Sequence, residues 1–230
     1  MSGPIDAPGP LYFIGGSGWS DGAAWNAALA AHAEGEIVVI PTGAAYERPD
    51  RAIAAATSHF GGLGATVVPA MVLTRRDAEN AELAAIVRSA RCCYLAGGSP
   101  LHLRSVLKDS AVLAALVAAW HGGAAVAGSG AGATSITDPM VDPRGGAFTV
   151  GLGLVRSLAV VGEETGEMTA GLRRTLALAP AGCPIVVLRP GGALWRQSDG
   201  LWRTAGEGAI DVYLDGAPAG LEVLAGKPTW

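Results

Sequence analysis

The chain has 230 residues, 50% hydrophobic and 16% charged, enough apolar material for one α/β domain (residues 1–230) whose strands are covered on both faces. Its 16 Lys and Arg against 20 Asp and Glu leave a net charge of -4, and the basic residues are scattered, so no footprint for a nucleic-acid backbone is present. The opening MSGPIDAPGP lacks the basic and apolar regions of a secretory signal, which points to a cytoplasmic protein with reduced thiols at Cys92, Cys93 and Cys183.

Leu11 to Ile14 reads as a strand ending in Gly15-Gly16-Ser17-Gly18, with Ser20 or Asp21 as cap for the alanine-rich helix that Gly35 stops. This turn lacks both the dinucleotide-binding spacing and the P-loop lysine, so it implies no phosphate cofactor. EIVVIP at Glu36 to Pro41 is a second strand with the continuous β-branched run of a buried parallel position. Pro49 starts a helix ending near Gly61-Gly62, Ala65 to Leu73 is a third strand, and Asp77 to Ser89 a helix with a broad apolar face. RCCYLA at Arg91 to Ala96 closes on Gly97-Gly98-Ser99-Pro100, and Pro100 suits the first turn of the next helix.

From Ser110 to Thr137 no Asp, Glu, Lys or Arg occurs, a length that raises the question of a membrane span. Five glycines between Gly122 and Gly132 interrupt it, so it reads as a buried helix, about Ser110 to Trp120, followed by a buried strand, Ala124 to Ala127. The strand runs into Gly128-Ser129-Gly130-Ala131-Gly132, the shape of a G-x-S-x-G nucleophile elbow, but with Gly130 in the central slot and Ser129 one position early. After the loop DPMVDP at Asp138 to Pro143 come a strand near Leu158 to Val161 and a helix near Met168 to Leu176. Ile185 to Leu188, Ala193 to Arg196, Leu201 to Thr204 and Ile210 to Leu214 then read as short strands of a β-meander edge. The alternation of strands and helices predicts a doubly wound, mostly parallel sheet with ligands at the carboxyl ends of its strands, where Gly15-Gly16, Gly97-Gly98 and the Gly128 turn fall.

The order of IVVIPTGA at Ile37 to Ala44, YLAGGSPLHL at Tyr94 to Leu103, AGSGAGA at Ala127 to Ala133 and TDPMVDPRGG at Thr137 to Gly146 resembles the cyanophycinase and aspartyl dipeptidase (peptidase E) family of serine peptidases, within the class I glutamine amidotransferase-like fold. The resemblance spans roughly Leu11 to Leu214. It implies a nucleophilic Ser where this chain has Gly130, a general-base His where it has Glu163 followed by Glu164, and an acidic triad member at Asp138. It also implies an oxyanion hole at Gly97-Gly98 with the amide of Ala131, a peptide or amino-acid-derived ligand, and no cofactor or metal.

Two triad positions thus depart from the pattern. An elbow nucleophile occupies strained backbone that costs about 1–3 kcal/mol in a non-glycine residue, and glycine removes that cost. Serine hydrolysis also needs a base within hydrogen-bond reach. Ser129, as an alternative nucleophile, should leave the strand on the opposite face. His102 follows the Gly97-Gly98 turn and is placed to border the crevice together with Ser99, whereas His32, His59 and His121 fall late in helices and read as surface residues. Asp138, Asp142, Glu163 and Glu164 have no metal-binding spacing. The reading that results is a family member without serine peptidase chemistry that retains a crevice formed by Gly15, Gly16, Gly97, Gly98, Ser99, His102 and Ala131. Two others stay open on the residues alone: an active hydrolase or amidase using Ser129, His102 or a carboxylate, and an interaction module whose apolar helix and tryptophans serve a homodimer.

Overall fold

The computed structural model describes residues 8–16, 19, 23–162, 167–206 and 209–230. Ser17, Gly18 and the proposed caps Ser20 and Asp21 lie outside the described residues, as do Glu163 and Glu164.

The first half is the alternation that the sequence implies: β1 (Leu11–Ile14), α1 (Ala23–His32), β2 (Glu36–Ile40), α2 (Pro49–Gly62), β3 (Thr66–Pro69), α3 (Arg75–Ala78), α4 (Ala81–Ser89), β4 (Cys92–Leu95), α5 (Pro100–Leu107), α6 (Ala111–His121), β5 (Ala125–Ser129) and α7 (Ala131–Ile136). The expected helix over Asp77 to Ser89 is two helices. Thr74 and Asp77 form a reciprocal capping box on α3, and the Asn80 side chain accepts from the amides of Glu82 and Leu83 to start α4. The third strand stops at Pro69, well before Leu73.

β1 to β5 form the parallel part of a seven-stranded sheet of order β13-β12-β1-β5-β4-β2-β3. Helices cover both of its faces. Side chains alternate, so Cys93 packs with Phe13, Val38 and Leu95 on one face while Cys92 packs with Tyr94, Ile37, Leu29 and Phe60 on the other. The uncharged stretch becomes α6, whose Val112, Leu113, Leu116 and Trp120 are buried, followed by β5, which is buried throughout. Among the described residues, no helix is long and apolar enough to cross a membrane.

The second half continues as β6 (Thr137–Asp138), β7 (Met140–Val141), β8 (Phe148–Thr149), β9 (Val155–Arg156), β10 (Ala159–Gly162), α8 (Ala170–Leu178), β11 (Ile185–Leu188), β12 (Ala193–Arg196), β13 (Trp202–Ala205), β14 (Ile210–Leu214) and β15 (Ala217–Ala219). The four C-terminal strands read as a meander are divided between two sheets. The hairpin β12-β13 extends the main sheet, antiparallel beside β1, whereas β11 and β14 join β10 and β15 in a four-stranded sheet. Gly15 allows this junction, because a Cβ there would run into the Arg189 carbonyl, just beyond β11.

Candidate functional site

The site is built on the turn between β5 and α7. Gly130 takes φ 51° and ψ −114°, a conformation that L side chains rarely adopt. The glycines on either side serve packing. A Cβ on Gly128 would lie 2.5 Å from the Gly132 carbonyl carbon, and one on Gly132 would run into the Leu95 carbonyl, so only glycine lets β5, α7 and β4 approach this closely. At Gly130 the surroundings are open: its Cβ would sit 3.7 Å from Gly16 O and 4.0 Å from Gly97 Cα, ordinary contact distances.

That open side faces a cavity of about 420 Å³. The carboxyl ends of β1, β4 and β5 bring Gly15, Gly16, Gly98, Gly130 and Ala131 to one side of it, and Val160, Val161 and Leu188 of the second sheet contribute apolar wall. The loop after β7 adds Asp142, Pro143 and Gly146, and the helices add Thr134 and Thr175. Among the described residues, the amides of Gly98 and Ala131 donate to no carbonyl or side chain.

Several residues singled out from the sequence lie elsewhere. Ser129 is fully buried on the α1/α2 face of β5 beside Tyr94, and it does not line the cavity. Burial pushes the Tyr94 phenol well above its ordinary range, and the nearby Ser129 hydroxyl offsets part of that rise. Neither hydroxyl, however, has a partner in hydrogen-bond geometry. His102 is turned away: its Nε2 is 2.9 Å from Leu73 O and its ring packs 4.7 Å from that of Tyr46. The Ser99 hydroxyl accepts from His102 N and so is used in capping α5. Gly97 is not among the cavity-lining residues, although its Cα would lie 4.0 Å from a Cβ on Gly130.

Asp138 also does not line the cavity. Its Oδ1 accepts from Gly151 N at 3.2 Å, and its Cβ approaches Gly153, which also lies close to Lys108 Nζ and Arg156 Nε. Asp138 and Asp142 therefore do not share a site. His59 is not a plain surface residue either. Its ring packs between Trp19 and Phe60, and burial holds its pKa below the ordinary histidine value. Cys92 is buried, which pushes its thiol up to about 12 and makes it a poor nucleophile at neutral pH.

The side chains that do reach the cavity were missed as a group. Asp142 entered only as part of the TDPMVDPRGG stretch and as a carboxylate without metal-binding spacing, and Thr134 and Thr175 carry no motif. Asp142 is gripped by Arg144, with Nη2 2.6 Å from Oδ2 and Nε 3.0 Å from Oδ1, and this pairing holds its carboxyl below the ordinary aspartate range. Among the described lining residues there is no Ser, Cys or His. The arrangement supplies a glycine-lined cradle, two hydroxyls and one carboxylate, Asp142, which is held by Arg144.

Comparison with known proteins agrees with this architecture. The chain is similar to a peptidase from an acI-B1 Actinobacterium, with a TM-score of 0.78 and 21% identity over 91% of each chain. It is also similar to a protein assigned to peptidase E from Listeria monocytogenes EGD-e, with a TM-score of 0.65 and 15% identity over 86% of this chain and 98% of that one. At such identities the likeness concerns the fold. No curated protein matches the sequence. The sequence profile of peptidase family S51 matches residues 14–201, from the end of β1 to the hairpin at the edge of the main sheet, and the chain belongs to that family.

Proposed function

We propose that this S51-family chain is a non-catalytic homologue that keeps the family's crevice as a binding site for a small peptide or amino-acid-derived ligand. The observation that carries the reading is Gly130 itself. It takes the strained elbow conformation and opens on the cavity, yet it has no side chain with which to attack. Losing one member of a working triad removes most of the rate, and the adjacent hydroxyl, Ser129, is buried on the other face of the strand. An intact turn without its nucleophile favours binding over turnover.

The test combines a serine-directed fluorophosphonate with aspartyl dipeptides, applied to the natural protein and to the double variant Gly130→Ser, Glu163→His. The natural protein is expected neither to label nor to cleave, and the double variant to label. Labelling of the natural protein that Ser129→Ala abolishes would reverse the conclusion and establish a shifted nucleophile.

A further inference from the structure

The loop between β8 and β9 runs beside the carboxyl end of α7, with Leu152 N donating to Ser135 O and Leu154 N to Ile136 O, both at 2.9 Å. Between these bonds Gly153 is buried at φ 84°, and its own amide donates to no carbonyl or side chain among the described residues. A buried backbone N–H without a partner is rare, and it marks a place where a bound group completes the hydrogen bonding. The space beside it is open. Apart from its chain neighbours, a Cβ built on Gly153 would meet nothing nearer than 3.6 Å, and the closest atoms are Asp138 Cβ at 3.6 Å, Lys108 Nζ at 3.8 Å and Arg156 Nε at 4.0 Å. Covalent geometry puts the Gly153 nitrogen within about 2.5 Å of that same point. Donors from α5, from β9 and from the loop itself therefore converge on one spot.

The two cations are uncommitted. Arg48, Arg75, Arg91, Arg144 and Arg189 each pair with a carboxylate, but among the described residues Lys108 and Arg156 pair with none. Lys108 gives one of its ammonium hydrogens to Leu152 O at 3.2 Å and keeps the others. Both cations stand against the Trp230 ring, Nζ 5.4 Å and Cζ 6.0 Å from its centroid, which holds the two long side chains side by side. One helical turn earlier on α5, Arg104 Nε is buried and also lacks a partner. An anion at the spot relieves the repulsion between neighbouring positive charges and takes charge-assisted hydrogen bonds from both.

Asp138 decides which anion fits. Its Oδ1 accepts from Gly151 N at 3.2 Å, and one carboxylate against two cations leaves the spot positive. A carboxylate beside the site penalises an anion with no hydrogen to share and favours one that carries a hydroxyl able to donate to it. Hydrogen phosphate offers both kinds of oxygen, unprotonated ones for Lys108, Arg156 and the Gly153 amide, and a P–OH for Asp138. Sulfate lacks the second kind.

We infer that Lys108, Arg156, the Gly153 amide and Asp138 form a binding site for inorganic hydrogen phosphate, with Trp230 as its wall. None of these residues lines the crevice, so the site is separate from it.

The test is calorimetric titration of the full chain at about pH 8 and constant ionic strength with phosphate, sulfate and methyl phosphate, the last two being dianions without an acidic hydrogen. Phosphate is expected to bind about tenfold or more tightly than either. Arg156→Gln and Lys108→Gln should each weaken phosphate about tenfold or more, with circular dichroism unchanged, whereas Arg88→Gln, at an exposed cation on α4, should leave it unaltered. Asp138→Asn replaces an acceptor by a donor and should let sulfate bind at least as tightly as phosphate. No phosphate binding up to about 10 mM, equal affinity of the natural protein for sulfate or methyl phosphate, or equal weakening by Arg88→Gln overturns the inference. These outcomes are read without Asp138→Asn, so a variant that fails to fold there leaves the decision intact.

Discussion

Placing an alanine at Gly130 separates backbone strain from steric clash at the centre of the site. With φ 51° and ψ −114°, a side chain there costs about 1–3 kcal/mol in strain. Part of that is offset by about 0.4–1 kcal/mol, because alanine restricts the unfolded chain more than glycine does. The nearest atoms to the new Cβ, Gly16 O at 3.7 Å and Gly97 Cα at 4.0 Å, add no overlap. Gly130→Ala should therefore lose at most about 2.6 kcal/mol, seen as a drop in Tm of no more than about 10 °C in a chain of this size. Gly128→Ala meets the Gly132 carbonyl carbon at 2.5 Å and Gly132→Ala meets the Leu95 carbonyl. In both cases the obstacle is backbone, so the loss should exceed that of Gly130→Ala by about 1–3 kcal/mol. Urea unfolding of the three variants, followed by fluorescence and circular dichroism, measures the order. If Gly132→Ala were as mild as Gly130→Ala, or if Gly130→Ala raised stability, the geometry assigned to the elbow would be wrong.

Other consequences follow from the surrounding residues. Tyr94→Phe and Ser129→Ala each remove a buried hydroxyl that has no hydrogen-bond partner, so each should leave stability unchanged or raise it by about 1 kcal/mol; a loss above about 2 kcal/mol in either would show a bond missed beneath the turn. Arg144→Ala removes the principal cause of the lowered Asp142 pKa, so the carboxyl should titrate closer to the ordinary aspartate value, followed by carbon NMR of the side chain. The sign is that of a depressed acid: the pairing stabilises the fold above the unfolded-state pKa and is lost as pH falls through the folded-state value, so the natural protein and Arg144→Ala should converge in stability toward acid. An Asp142 midpoint that stays low in Arg144→Ala would assign the shift to another group.

Local signals in the sequence carried the strand-turn-helix units. The β-branched runs at Ile37 to Ile40, the proline at position 100 and the glycines at 15, 16, 97, 98, 128, 130 and 132 are constrained by their immediate neighbours, and the structure places their elements where those constraints point. The gap in the acidic middle of the helix expected over Asp77 to Ser89 was less visible. Asn80 reads as one polar residue within a periodic stretch, and only its bonds to the Glu82 and Leu83 amides reveal it as a cap.

The composition and periodicity of this chain determined an α/β sheet covered on both faces, with glycine turns at the carboxyl ends of its strands, because period and turn chemistry act over a few residues. The same sequence determined that the elbow has a glycine where attack would begin. Strand alternation already turned Ser129 away from the crevice; tertiary structure alone decided that it lies beside Tyr94, that His102 bonds the Leu73 carbonyl, and that Asp138 lies apart from Asp142. It also decided that the C-terminal strands divide between two sheets and that Thr134, Asp142 and Thr175 meet around one space. Those outcomes depend on segments far apart in the chain, such as Thr134 and Thr175 or the paired Leu11 and Arg196, being brought together by packing, and no local pattern records which side chains will face one another across such distances.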